Sequence, residues 1–326
     1  MKETNEFTVK IKALTPIWTG DENRKCETLR ETGMIGSLRW WYEALIRGLG
    51  GYACDPTDEN SRCKLDQKKF NEALKAGIPV QEALNQQICP VCQLFGCTGW
   101  ARKFRLEINI MGNNKINKGR GPTSGLKPGT FFDLNLILFS TLTAEQKWLF
   151  KKNLWLIENY GAIGGRTTWK PNSKWGTSYG LIKIEDYGEL ANWDTLSNIY
   201  DVKKYLKYNK DALKKENTSN WFNFAFYWII DKSYLNHKQI NVIVKRNPNN
   251  PKNYDQKADE FDKWLGRELS SEKSVSKKIF SFKNPYKVFG YVKNKEELEE
   301  VKKRIQNVLN NEINFKTGEK ILGELK

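Results

Sequence analysis

Four cysteines have the spacing of a metal site. Eight residues separate Cys54 from Cys63, and a C-x-x-C pair, Cys89 and Cys92, follows after 25 further residues. A C-x-x-C knuckle can place two thiolates on one tetrahedral ion, and a second pair of cysteines completes a four-thiolate shell. The spacing therefore predicts a closed, structural zinc site built from these four residues.

Two other interpretations of the cysteines stay open. The segment CPVC is compatible with a thioredoxin-like redox motif, although such motifs usually lie between a strand and a helix and this one does not. The cysteines can also lack a shared function. Cys97, five residues after Cys92, competes for the fourth ligand position. A zinc ion here would stabilise a long insertion that has no core of its own.

Basic residues form the second group with potential chemistry. Residues 101–180 contain 13 Lys+Arg and 4 Asp+Glu, and much of this charge falls in glycine-rich loops and at strand entries. Glycine lets backbone N–H groups approach phosphates closely, and tryptophan stacks on unpaired bases. We predict a nucleic-acid surface that includes Arg102, Lys103, Arg105, Arg120, Arg166, Trp169, Lys170, Lys174 and Trp175. The alternative is a set of solvated loops whose tryptophans pack back onto a sheet.

The overall composition supports a polyanionic partner. The 326 residues carry a formal net charge of +16 and have a sequence pI near 9.4. Nucleic acid is the first candidate and an anionic membrane the second, while a lysine-rich proteome is the plain alternative. No run of 18 apolar residues is present, and the N-terminus has no apolar signal-peptide core. We therefore expect a cytoplasmic protein with reduced cysteines.

Little in the sequence indicates catalysis. The one histidine, His237, has no serine or carboxylate motif around it, and no nucleotide-binding or hydrolase signature is present. Asp21, Glu22 and Glu27 are candidates for metal ligands, but such residues more often solvate a loop. The expectation is a protein that is not an enzyme.

Periodicity places these residues on a β-α-β-β-α-β series between residues 6 and 187. Residues 6–14 alternate between apolar and polar types and predict a strand. A helix is expected from about Met34 to Leu49, then an insertion at about 50–98 with a short helix near Lys68–Lys75. The segments RLEINIM, FFDLNLILF and YGLIKIE predict the other strands, and a capping box starts the second long helix at Thr143. The fold class is α+β with a ferredoxin-like, RRM-like core.

The pattern changes after residue 188 and predicts a second, helix-rich α+β domain over 189–326. The first domain, 1–188, carries the cysteine-rich insertion. Residues 198–236, with the aromatic run WFNFAFYWII, are expected to be helical, and INVIVK is a strand candidate. The segment KIFSFKNPYKVFGYVK is typical of a hairpin that turns at Asn284-Pro285.

Several motifs taken together resemble the RAMP superfamily of CRISPR proteins. They are LTPIWTG after the first strand, GMIGSLRWWYEAL in the helix, CPVCQLFGCTGW in the insertion and the glycine loop GAIGGR. The chain is most similar to the large RAMP subunit that caps the helical backbone of the type III-B (Cmr) effector complex. These motifs cover roughly the first 180 residues.

The resemblance implies a ferredoxin-like core, often two in tandem, so the second domain is a candidate for another such unit. It implies a structural zinc knuckle at Cys89 and Cys92, and an RNA-contacting role for Arg39, Trp40 and Arg166. Its expected partners are guide (CRISPR) RNA, target RNA and other subunits of an antiviral ribonucleoprotein.

The resemblance also bears on catalysis. Related backbone subunits cut target RNA with an aspartate in the loop after the first strand. At that place this sequence offers Lys25, Cys26 or Glu27, which favours a non-catalytic capping subunit that contacts the guide near its 3′ end. The main alternative is a metal-independent RNA-processing endonuclease of the same superfamily, for which His237 is the available acid or base. A zinc-stabilised RNA-binding protein outside CRISPR biology is the third hypothesis.

Overall fold

Two four-stranded antiparallel sheets form the framework of the described chain. The computed structural model describes residues 5–168, 178–218, 220–266, 277–310 and 313–325. The elements of the first half are β1 (Glu6–Ala13), α1 (Glu31–Gly48), α2 (Gln67–Lys75), α3 (Val80–Asn85), α4 (Pro90–Phe95), β2 (Phe104–Ile110), β3 (Ile116–Asn117), β4 (Gly125–Leu126), β5 (Phe131–Leu138), α5 (Ala144–Tyr160) and β6 (Ile182–Asp186).

The first sheet has the strand order β2-β5-β1-β6, and all neighbouring strands are antiparallel. β1 and β2 are therefore parallel to each other with β5 inserted between them, as in a split βαβ unit. Val9, Ile11 and Ala13 point into the core, which confirms the alternation expected for β1. The order of elements predicted from periodicity is also confirmed, and the fold is mixed α+β.

Helices α1 and α5 pack on each other beside this sheet. The Asn153 side chain of α5 donates a hydrogen bond to the Leu38 carbonyl of α1 at 3.0 Å. The α5 helix begins with the expected capping box, in which the Thr143 hydroxyl and the Gln146 side chain satisfy each other's backbone N–H groups. The α1 helix begins at Glu31, three residues before the start predicted from the sequence.

The cysteine-rich insertion consists of α2, α3, α4 and the turns between them. Phe70 of α2 meets Trp100 edge-on, with ring centroids 5.8 Å apart, so α2 packs on a tryptophan that directly follows the insertion. The Tyr205 hydroxyl donates to the Gln93 side chain of α4 at 2.9 Å. Both contacts tie the insertion to residues that follow it in the sequence.

The second half begins with a 3₁₀ segment, Gly188–Thr195. Its further elements are α6 (Ile199–Leu213), β7 (Tyr227–Asp231), α7 (His237–Ile243), α8 (Glu260–Gly266), β8 (Ile279–Lys283), β9 (Tyr286–Tyr291), α9 (Lys295–Leu309), β10 (Phe315–Thr317) and α10 (Gly318–Gly323). The second sheet has the order β10-β7-β9-β8. When the four strands of each sheet are counted in chain order, both sheets have the same arrangement: fourth, first, third, second. No helix in the described part of the chain is long and apolar enough to cross a membrane.

Two predictions for the second half were wrong. The run WFNFAFYWII contains strand β7, whose residues Tyr227 to Ile230 are all buried. A central strand covered on both faces has no alternation, so its pattern cannot be distinguished from that of a buried helix. INVIVK lies in and just after α7, because Asn236 and Gln239 form a capping box and Ile240 and Ile243 share one face. The hairpin at Asn284-Pro285 is confirmed.

One hydrophobic core connects the two sheets. Trp41 of α1 is 1% exposed, and its ring lies 5.6 Å from Phe222, 6.3 Å from Tyr227 and 6.1 Å from Phe289. Tyr227 also donates a hydrogen bond to the Tyr160 carbonyl at the end of α5. The apolar face of α1 is therefore covered by residues from the second sheet as well as the first.

Candidate functional site

The structure brings together the four predicted metal ligands. Cys54, Cys63, Cys89 and Cys92 are buried, and their sulfur atoms all lie within 4.8 Å of one another. The Cys54 sulfur is 3.5 Å from that of Cys92 and 3.8 Å from that of Cys89. Four sulfurs placed 2.3 Å from a central ion would be about 3.8 Å apart. The cluster therefore has the dimensions of a tetrahedral thiolate site.

Helix α4 positions two of these ligands, because Cys89 is its N-cap and Cys92 lies one turn further on. The backbone N–H of Cys89 points at the Cys63 sulfur at 3.3 Å. The Arg39 guanidinium of α1 donates to the Cys92 sulfur at 3.3 Å and to the Gly96 carbonyl at 2.9 Å. Donors of this kind orient thiolate ligands and offset their negative charge.

The protonation state of the four cysteine thiols explains why a metal cation fits between them. Hydrogen bonding from Cys54 and the other neighbouring thiols raises the pKa of Cys92, and burial raises it further. Four thiolates cannot share so small a volume unless protons or a metal ion neutralise them. A divalent ion replaces those protons and binds thiolates directly.

Cys97 lies beside the cluster rather than in it. It is half-buried, and its thiol donates weakly to the Thr98 carbonyl at 3.6 Å. Its backbone pairs with Trp100 in a tight turn. The hydrogen bond from Cys92 lowers the pKa of Cys97. The four-sulfur cluster therefore forms without Cys97.

Arg39, Glu43 and Arg47 of α1 form a buried series of ion pairs beside the cysteine cluster, here called the ladder. Glu43 bonds to Arg39 at 2.9 Å and to Arg47 at 3.5 Å. Arg47 in turn donates to the carbonyls of Ala53, Cys54 and Phe222. Burial lowers the pKa of Arg47 and raises that of Glu43, which shows that both charges pay for their desolvation.

Arg39 and Trp40, expected to contact RNA, have many contacts inside the protein. Arg39 holds the ladder and the cysteine cluster. Trp40 is half-buried, with its ring centroid 4.5 Å from that of Phe222 and 5.9 Å from that of Tyr291. Its indole lines two neighbouring cavities.

Three loops of the first half join into one surface, here called the loop surface: residues 17–30, 112–129 and 161–168. Ile17 pairs with Leu126 and Trp18 with Gly165 through backbone bridges. Cys26 and Gly119 exchange two backbone hydrogen bonds of 3.0 and 3.2 Å. Residues about 90 to 150 positions apart in sequence are therefore held edge to edge.

Glycines and Arg166 hold the loop surface together around Trp18. A Cβ atom on Gly165 would lie 2.7 Å from the Trp18 ring, and one on Gly20 would lie 2.3 Å from it, so both positions need glycine. The Arg166 guanidinium sits 4.2 Å from the Trp18 ring centroid. It also donates to the Arg120 and Gly121 carbonyls and to a serine hydroxyl, which makes Arg166 a crosslink between two of the loops.

The loop surface carries exposed positive charge. Its exposed basic residues are Arg24, Lys25, Arg30, Lys115, Lys118, Arg120 and Lys127. Acidic side chains are fewer there, and one of them, Glu27, lies 3.8 Å from Lys118. The Asp21 carboxylate accepts the Lys25 N–H at 2.7 Å and so holds a turn, as expected for a solvated loop.

The remaining predicted basic residues are placed differently. Lys103 is buried, donates to the Gln146 side chain at 3.1 Å, and has its pKa lowered by burial. Arg102 is half-buried against Phe104, and Arg105 is exposed and pairs with Glu107 at 2.8 Å. The predicted nucleic-acid contacts that lie outside the described residues are Trp169, Lys170, Lys174 and Trp175.

One known family model matches the part of the chain that carries the cysteine cluster and the loop surface. Residues 10–169, which span β1 to the glycine loop, match the family model described as the RAMP superfamily. This segment belongs to the RAMP superfamily. Among solved structures, this RAMP protein is similar to Cmr1 from Pyrococcus furiosus in its apo form, with 12% sequence identity, a TM-score of 0.45, and coverage of 96% of this chain and 98% of that chain.

A second solved structure similar to this RAMP protein is the Csm3-Csm4 subcomplex of the type III-A CRISPR-Cas interference complex. The identity is 11%, the TM-score is 0.30, and the match covers 65% of this chain and 96% of that chain. No curated protein sequence gives a significant match.

Sequence reasoning missed part of the loop surface. Arg24, Lys25 and Arg30 were not predicted as nucleic-acid contacts, although they lie on the same surface as Arg120. The link between them is the backbone pairing of residue 26 with residue 119, which no local pattern indicates. The Lys, Arg and Gly residues of loop 112–129, after β2, were the sequence signal for the other part of the loop surface.

Proposed function

We propose that this RAMP protein is a non-catalytic, RNA-binding subunit of a type III-B CRISPR effector complex. In this proposal it binds the guide RNA, or the guide–target duplex, near the guide 3′ end and caps the helical backbone in the cytoplasm, beside other RAMP subunits. The observation that carries the proposal is the loop surface, where three loops of a RAMP-family unit, two of them with exposed basic residues, are joined into one face.

The chemistry of the loop surface suits a phosphate backbone. Exposed lysine and arginine side chains there have few acidic neighbours, and glycine-rich turns bring backbone N–H groups to the surface. Such contacts neutralise phosphates without reading bases, so binding should depend strongly on salt and weakly on sequence. Arg166 supports this surface by holding two loops in register rather than by presenting a free charge.

A salt series tests the proposal. Filter binding of a single-stranded RNA should weaken linearly on a log–log plot as salt rises. The double substitution Lys25→Ala, Lys127→Ala removes two exposed charges and should reduce the slope by about 1.4, since each phosphate contact contributes about 0.7. The matched control, Lys203→Ala with Lys207→Ala, removes two exposed charges from α6 and should leave the slope unchanged. A salt-independent affinity would refute the proposal.

We also propose that the ion in the cysteine cluster is zinc and that its role is structural. The four ligands are all thiolates and all buried, which leaves no position open for a substrate or an activated water. The ion would hold the insertion together, since the cluster joins Cys54 and Cys63 before α2 to Cys89 and Cys92 at the start of α4. Zinc supplies folding free energy in such sites rather than chemistry.

The competing function is an RNA-processing endonuclease that uses His237. This side chain is exposed at the start of α7, and its Nδ1 lies 3.4 Å from the Asn241 side chain. Incubation with CRISPR repeat RNA decides between the two functions. Cleavage that is abolished in His237→Ala would support the endonuclease, and intact RNA would support the non-catalytic subunit.

A further inference from the structure

Next to a cavity lined by the loop surface, and sharing Trp40 with it, a second cavity lies between α1 and the second sheet. It has a volume of about 710 Å³, within the range of ligand-binding clefts. Three tryptophans line it, Trp40 from α1, Trp221 from the segment before β7 and Trp264 from α8, and we call it the tryptophan cleft. Arg39 and Arg47 link the cleft to the cysteine cluster, through the Cys92 sulfur and the Cys54 carbonyl.

Aromatic rings form most of the apolar wall. The three tryptophans are each half-buried, so part of every indole is open to solvent. Phe222 and Tyr291 stack at 4.2 Å and form the floor, and Trp264 meets Tyr291 edge-on at 5.8 Å. Half-exposed indoles fixed by packing are suited to stacking on the planar ring of a nucleobase, as aromatic side chains do in proteins that bind single strands.

Cations accompany the rings. The Arg47 guanidinium lies 5.0 Å from the Trp221 centroid, and the Lys278 amine lies 4.8 Å from that of Trp264. Arg39, Arg47 and Lys278 line the cleft together with two acids, Glu43 and Asp55, and the lining therefore has one excess positive charge. That charge balance suits a ligand with a single anionic group.

Lys278 is the cation best placed to meet that anion. It is 5% exposed, and burial together with the charge of Lys293 lowers its pKa to about 8. An ammonium group kept in such surroundings gains more from a nearby anion than an exposed lysine does. A planar aromatic wall with the Lys278 cation beside it matches a base that carries one phosphate.

We propose that the tryptophan cleft binds a single nucleotide, with the base against the tryptophans and the phosphate at Lys278. The nucleotide is either free or one unpaired unit of a bound RNA chain, and the second source rests on the proposed function. RNA would then be held at two separate places, the phosphates on the loop surface and one unstacked base in the cleft.

Tryptophan fluorescence of the full chain tests this proposal. AMP or UMP should quench the emission with saturation, and adenosine, which lacks the phosphate, should bind at least tenfold more weakly. Lys278→Met keeps the aliphatic stem, removes the charge and should weaken AMP binding at least tenfold, while Lys203→Met on α6 should leave it unchanged. An absence of saturable quenching by both nucleotides would overturn the proposal.

A crosslinking measurement avoids dependence on any variant. 4-Thiouridine monophosphate, irradiated with the wild-type chain, should label peptides that contain Trp221, Trp264 or Tyr291. Labelling confined to other peptides would overturn the cleft assignment.

Three arms separate the two sources of the nucleotide from the proposed function. Competition between a single-stranded RNA and AMP, with weaker RNA binding in Lys278→Met, supports an RNA unit in the cleft. AMP binding that RNA does not displace supports a free nucleotide. RNA that binds with the salt dependence described above, without any AMP binding or crosslink in the cleft, sinks this inference and leaves the proposed function standing. The reverse result sinks the proposed function alone.

Discussion

Arg47→Met should strongly destabilise the protein, because Arg47 joins three parts of the chain inside the core. Its guanidinium contacts the Glu43 carboxylate and the carbonyls of Ala53, Cys54 and Phe222. Methionine fills a similar volume but donates no hydrogen bond. The substitution therefore leaves three carbonyls and one carboxylate buried without their cation.

The expected loss follows from these contacts. Removing one partner of a buried ion pair typically costs about 3–5 kcal/mol, and each hydrogen bond to a charged group is worth about 1.5–3 kcal/mol. Relaxation of the carbonyls towards water will recover part of this energy. We expect Arg47→Met to lower the free energy of unfolding by about 4 kcal/mol at pH 7.

The loss should shrink in acid. Burial already raises the pKa of Glu43 in the folded protein, although Arg47 and Arg39 oppose it. A raised carboxyl pKa destabilises the folded state at every pH above the unfolded value, and removing Arg47 raises it further. Glu43 of the variant should therefore take up a proton as the pH falls from 7 towards 5, and the variant should regain stability in that window.

Urea unfolding followed by tryptophan fluorescence at pH 7 and pH 5 measures both effects. The double substitution Glu43→Gln, Arg47→Met should be more stable than Arg47→Met alone at pH 7, because the side chain at position 43, which loses its buried Arg47 partner, is then uncharged. Arg62→Met is the matched control, since Arg62 pairs with exposed Glu59 and should contribute less than about 1 kcal/mol. A loss below about 1 kcal/mol for Arg47→Met, or one that is the same at both pH values, would refute the reasoning.

Three further outcomes are expected. Cys63→Ser should abolish stoichiometric zinc binding by the purified protein, whereas Cys97→Ser should retain it, because only Cys63 belongs to the four-sulfur cluster. A colorimetric assay of the released metal measures both, and equal zinc content in the two variants would refute the four-ligand assignment. Lys103→Met should leave RNA affinity unchanged, because the amine is buried against a glutamine; a clear loss in filter binding would contradict this placement. Asp262→Asn should destabilise the protein by about 3 kcal/mol, as in a broken buried pair. Burial raises the pKa of Asp262, but the hydrogen bond from Arg304 outweighs it, so the pKa of this carboxyl is lowered in the folded protein. The stabilisation is therefore present in wild type above about pH 4 and lost at lower pH. A difference in unfolding free energy between wild type and Asp262→Asn that persists unchanged at pH 2 would contradict this assignment.

The sequence predicts the first half of the fold well, because its strands are half-buried. Residues of β1 and β5 alternate between core and solvent, and a period of two identifies such strands directly. Strand β7 lacks this signal, because Tyr227 and Ile229 are packed in one hydrophobic cluster and Trp228 and Ile230 in another, so both faces are covered. Short helix α7 is specified by the Asn236 cap, which outweighs the strand preference of its Ile and Val residues.

Of the two candidate sites, one could be predicted from the sequence and the other could not. The cysteine cluster could be predicted because ligand spacing is a local property, and Cys54 and Cys63 complete it as proposed. The tryptophan cleft could not, since Trp40 and Trp264 are more than 200 positions apart and meet only through the packing of α1 on the second sheet. Local patterns identify residues with suitable chemistry, whereas tertiary packing decides which of them share a site.

The core shared by the two sheets has a consequence for synthesis on the ribosome. Trp41 is made early, but its partners Phe222, Tyr227 and Phe289 follow about 180 residues or more later in the chain. At typical translation speeds of about 5–20 residues per second, the aromatic side of α1 stays uncovered for roughly ten seconds or more. During that interval the nascent first half exposes an apolar surface that is prone to aggregation. Chaperones or an already assembled neighbouring subunit can cover this surface until the second sheet is synthesised and folds against it.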